Sequence, residues 1–68
     1  MLILRPRKVR LHQLDPAPTI EGFLVNSWNS HYRLLKPVLL EATGRSIELE
    51  GEALVPRERV VFIETVRS

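Results

Sequence analysis

Cysteine is absent from the sequence, so disulfide stapling is excluded, and two histidines without a thiol do not supply the usual ligand set of a structural zinc site. No apolar run approaches the ~18–20 residues that cross a bilayer as a helix. The charges of Arg5, Arg7 and Lys8 follow the short apolar start at residues 1–4, the reverse of a signal peptide. The expectation is a soluble, untargeted chain with no membrane partner. The three glycines form no phosphate-cradling loop. Asp15 is the only aspartate, held between Leu14 and Pro16, while His12 and His31 fall on different predicted elements with no carboxylate at a suggestive spacing. Ser30 beside His31 does not read as a nucleophile and base, because neighbours along a strand point to opposite faces. The chain is therefore expected to be no enzyme, with no catalytic residue, metal site or cofactor.

These absences leave a stability problem. A chain of 68 residues forms a single domain, 1–68, near the size at which one core is barely sufficient. Without staples or metal, oligomerisation is the remaining common device. The missing cysteine fits a reducing interior or a virion.

The charge that is present is unevenly placed. Arg5, Arg7, Lys8 and Arg10 lie in the first fourteen residues with no acid among them, so the formal net charge of +2 leaves the rest of the chain at minus two. Glu41, Glu48, Glu50 and Glu52 face only Arg45 in their segment, which makes head-to-tail pairing with a neighbour's basic end electrostatically reasonable. The rival partner for that end is phosphate, and the plain alternative is a solvated face.

Hydrophobic patterning reads as short strands. Residues 8–14 alternate Val9 and Leu11 against Lys8, Arg10 and His12. Asp15, Pro16, Ala17 and Pro18 force a turn. Residues 19–25 form a second strand, with Gly22 where a bulge or close backbone approach is needed. Residues 31–36 form a third, making a hairpin across the loop at 26–30. Residues 38–43 fit a short helix after Pro37 or continued strand, strand being preferred. Ile47 and Leu49 alternate with Glu48 and Glu50 as a half-exposed strand. The closing stretch, residues 51–66, is a short strand, a break at residues 56–59 and a last strand. Val60, Val61, Phe62 and Ile63 are apolar at four consecutive positions, so both faces of that strand ask for cover. By period two, Val61 and Ile63 share one face and Val60 and Phe62 the other. One pair should be core and one should meet a partner. The fold class that follows is all-β: a small five- or six-stranded barrel with one short helical turn at most.

This pattern resembles the Sm-like and SH3-like small barrels. The segment Ile20-Glu21-Gly22-Phe23-Leu24 is similar to the opening of the first Sm motif, residues 31–35 to the strand after its loop, and residues 51–63 to the second motif. The resemblance implies last strands that pair between subunits and close a ring. It implies nucleic-acid contact only at the first loop, since the second loop has Val55-Pro56-Arg57 where that family has an Arg-Gly pair, and the chain lacks the family's opening helix. Over the whole length, Glu21-Gly22-Phe23-Leu24-Val25, His31-Tyr32-Arg33-Leu34 and Val55-Pro56-Arg57-Glu58-Arg59-Val60 resemble small proteins encoded among the structural genes of tailed bacteriophages of actinobacteria. That resemblance implies a structural or assembly role in the virion as a head, tail or connector component. It would place the chain in the virion, and in the host cytoplasm during assembly, with itself or larger virion proteins as partners. The candidate interface residues are Trp28, Leu54, Val55, Val60, Val61, Phe62 and Ile63. The alternative is an oligomeric RNA- or DNA-binding protein using Arg5, Arg7, Lys8, Arg10, Asn29, His31 and Tyr32.

Overall fold

The computed structural model describes residues 6–27 and 30–67. Six antiparallel strands form one sheet: β1 (Arg7–Gln13), β2 (Thr19–Ser27), β3 (His31–Leu40), β4 (Ser46–Glu48), β5 (Glu52–Pro56) and β6 (Val60–Thr65), with a 3₁₀ turn at Arg57–Arg59. The strand order is β4-β3-β2-β1-β6, and β5 also pairs with β3. The fold is the all-β small barrel expected from the sequence. Residues 38–40 are strand, and the chain leaves β3 at Glu41 through a turn closed by Glu41 N–H to the Arg45 carbonyl (2.8 Å).

β4 and β5 act as one interrupted strand along β3. Val38 opposes Glu48 and Leu35 opposes Glu52, so Lys36 and Pro37 face the three residues Leu49, Glu50 and Gly51. The β2–β3 ladder shifts at the same place, between Glu21 and Phe23. A proline inside a strand normally costs a ladder hydrogen bond. Here Pro37 sits where both ladders are already irregular, its ring is buried, and its carbonyl accepts from Leu49 N–H at 2.9 Å.

Opposite this bend is Gly22, buried in β2. A Cβ there would lie 3.0 Å from the Leu35 carbonyl oxygen and 3.1 Å from Leu34 Cβ. The missing side chain is what lets β3 fold down onto β2. The bend in turn carries Leu34 into the core formed by Val9, Leu11, Leu34 and Val55, with Ile20, Leu24, Tyr32, Ala53 and Val60 packed around it.

The 3₁₀ turn takes the chain from one side of the sheet to the other. The Arg57 amide donates to the Ser30 carbonyl before β3, and the Arg59 carbonyl accepts from Leu14 N–H after β1, both at 2.9 Å. β6 then runs antiparallel to β1, with Leu11 opposite Ile63. No ladder joins β6 to β4 or β5 among the described residues, so the barrel is open along that seam.

Substituting Gly22 with alanine is expected to destabilise the fold by about 1–3 kcal/mol, the usual cost of overpacking, and Leu34→Ala by about 2–5 kcal/mol through a cavity. Chemical denaturation measures both. An unchanged midpoint for Gly22→Ala would contradict the close approach.

Candidate functional site

The run of four apolar residues in β6 is resolved by a bulge. Gln13 pairs with Val60 and His12 with Phe62, so Val61 and Phe62 share His12 as their opposite residue. Such an extra residue breaks the period of two. Val60, before the bulge, packs against the core, and Ile63, after it, stands opposite the fully buried Leu11. The pairing expected from strict alternation is thus corrected: Val60 shares the inner side with Ile63, and Phe62 lies on the other.

Cover for these residues is incomplete. Val61 is 59 % exposed, Phe62 56 % and Ile63 40 %. Phe62 stacks on the imidazole of His12, with ring centroids 4.2 Å apart and planes 12° from parallel. His12 Nε2 lies 2.9 Å from Glu64 Oε1, and its Nδ1 lies 3.4 Å from Thr19 Oγ1. Beside this cluster is a groove of ≈ 780 Å³ between the turn at residues 15–18, the end of β3 and the start of β6. Leu39, Leu40, Ile47, Val61 and Phe62 supply its larger aliphatic and aromatic lining.

The other interface candidates divide. Leu54 points outward from β5 and is 57 % exposed, whereas Val55, its neighbour, is 2 % exposed and belongs to the core. Val55 is therefore corrected from interface to core residue, because strand alternation turns it toward Leu11 and Leu34. Trp28 lies outside the described residues. Leu14, 54 % exposed after β1, was not singled out by the sequence, since its strand pattern ends there.

The residues assigned to nucleic acid are less free than their positions suggested. Arg10 directly opposes Glu21 across β1 and β2 and donates to it at 2.9 Å, and Lys8 approaches the same carboxylate at 3.8 Å. Lys8 also lies 6.0 Å from the Phe23 ring centroid. Arg7 is exposed at the start of β1. Tyr32 packs against the core beneath the Arg57 guanidinium, 5.0 Å above its ring. Arg5 and Asn29 lie outside the described residues.

His31 accepts or donates a 2.8 Å hydrogen bond at Nδ1 with Ser30 Oγ. This contact corrects the expectation that the two side chains diverge: Ser30 is a bend residue before β3, so strand alternation does not apply to it. Among the described residues no carboxylate lies within ion-pair distance of His31, and no group of three or more His, Cys, Asp or Glu is placed to hold a metal.

Two of the acids expected to meet a neighbour's basic end are paired within the chain. Glu41 faces Arg45 at 3.9 Å. Glu52 takes two hydrogen bonds from Arg33, at 2.5 and 2.6 Å. Those hydrogen bonds hold the Glu52 carboxyl below the usual glutamate range, against an opposing effect of desolvation and with a lesser contribution from the guanidinium charge. A carboxyl whose pKa is lower in the folded than in the unfolded chain stabilises the fold above its unfolded pKa, and that contribution fades as pH falls through the folded value. Comparison with known protein families, curated proteins and solved structures finds no match.

Acid titration of the folded chain is expected to show Glu52 ionising below the usual glutamate range, and Arg33→Ala is expected to return it to that range. Carbonyl-carbon chemical shifts followed against pH measure this, and an identical Glu52 titration in the variant would contradict the pairing.

Proposed function

We propose that the chain is a non-enzymatic assembly module that works through protein–protein contacts at β6. Its apolar edge is the observation that carries the reading. A strand at the end of a sheet presents unpaired backbone groups, and here that strand also exposes Val61, Phe62 and Ile63. Soluble monomers seldom keep such a combination uncovered. Joined to the resemblance to small proteins of tailed bacteriophages, it supports a structural or assembly role in the virion, with a copy of the chain or a larger head, tail or connector protein as partner.

Nucleic-acid binding is the weaker reading. Two of the three described cations in the N-terminal group, Lys8 and Arg10, share Glu21, which reduces the net positive charge available to phosphate.

The double substitution Val61→Glu, Phe62→Glu is expected to leave the β-sheet circular dichroism unchanged and to weaken assembly about tenfold or more, the scale of losing one interface anchor. Light scattering across concentration measures the first partner class, and co-sedimentation with phage head and tail proteins the second. Unaltered association in both assays would overturn the proposal. Counting copies of the chain in purified particles tests the virion assignment, and its absence there would remove it.

A further inference from the structure

The two open edges of the sheet differ in kind, and the difference says what β6 is built to meet. The edge formed by β4 and β5 is blunted. Its strands are three and five residues long, an irregular stretch at Leu49, Glu50 and Gly51 separates them, and Pro56 has no amide to donate. Glu48, Glu50 and Glu52 add like charges along it. Short strands, breaks, proline and charge are the devices that discourage edge pairing. β6 has no lysine and no proline, and its irregularity is confined to Val61, leaving residues 62–65 regular.

The inner side points the same way. Ile63, Leu11, Ile20, Leu39 and Ile47 are directly opposed in sequence across β6, β1, β2, β3 and β4. This apolar row is fully buried at Leu11 and ends in solvent at Ile63, which is 40 % exposed. The backbone at Ile63 is also aimed outward. Val66 N–H donates to the Lys8 carbonyl at 2.9 Å, so in the alternation of an antiparallel ladder Glu64 faces β1 as Val66 does, while Ile63 and Thr65 turn their amides and carbonyls to the open edge.

We infer that the occupant of this edge is β6 of a second copy, related by a two-fold axis perpendicular to the sheet at Ile63. This inference rests on the assembly reading and names its partner. With Ile63 opposite the second copy's Ile63, the two exchange both backbone hydrogen bonds, and the apolar row continues without a break into the second sheet. Glu64 then stands beside the second copy's Phe62. A register one step further along opposes the two Glu64 side chains, which is unfavourable for like charges. The two-fold pairing brings Arg59 near the second copy's Arg67 only at the exposed ends, outside the strands, where salt screens them.

The absence of native cysteine makes the pairing readable by single-cysteine variants of the full chain. Directly opposed residues of an antiparallel pair lie within disulfide reach. Under a mild oxidant, Ile63→Cys is expected to give covalent dimers about tenfold faster than Phe62→Cys or Glu64→Cys, at concentrations where the unsubstituted chain has the mass of a dimer. Fastest linking at position 62 or 64 would overturn the register. Faster linking in a mixture of Ile63→Cys with Leu54→Cys chains would overturn the two-fold arrangement in favour of head-to-tail pairing. A chain that stays monomeric yet binds phage head or tail proteins through β6 would sink the two-fold pairing and leave the assembly reading standing. One that does neither would sink both.

Discussion

The apolar row that crosses the sheet from Ile47 to Ile63 is the constraint on which the rest of the molecule depends. A sheet folds because one face leaves water, and a chain this short can cover only the middle of that face. Val9, Leu11, Leu34 and Val55, with the ring of Pro37 beside the bend, are the apolar side chains that are buried among the described residues. The ends of the row, on β4 and β6, are the places where cover runs out. Gly22 and the irregular stretch at Lys36 and Pro37 bend β3 over the centre of the row, and the 3₁₀ turn at Arg57–Arg59 swings β6 to its far end. These devices build a core without closing the seam.

The outer face is arranged differently. Glu64, Arg10, Glu21, Val38 and Glu48 run across the same strands in register, so charges of opposite sign alternate where β6, β1 and β2 meet. This pairing absorbs much of the basic character of the N-terminal segment. It also leaves the stack of His12 on Phe62 as the main apolar feature of that face near the open edge. Under the proposed assembly role, the pairing of Lys8 and Arg10 with Glu21 beside an apolar edge favours a protein partner over phosphate.

Much of this was legible in the sequence, because the responsible signals are local. Alternation at Val9 and Leu11 located β1, the Asp15 to Pro18 turn separated it from β2, and Pro56 broke β5 from β6. Gly22 read as a point of close backbone approach and is one. What alternation could not reveal was the consequence of an added residue. The bulge at Val61 changes which side Val60 and Ile63 occupy, and nothing in four consecutive apolar letters distinguishes a bulged strand from one buried on both faces. Val55 was misplaced because exposure within a short strand depends on which neighbour crosses it. The pairing of Lys8 and Arg10 with Glu21 depends on strand register, which charge counting along the chain does not contain.

The central claim is that the β6 edge is completed by another polypeptide. Hydrogen–deuterium exchange at the Ile63 and Thr65 amides, followed as the concentration of the chain is raised, tests it most directly. Both amides point away from β1 and are expected to exchange rapidly in the isolated chain, then to become protected as assemblies form. Rapid exchange at both positions in fully assembled protein would contradict the account.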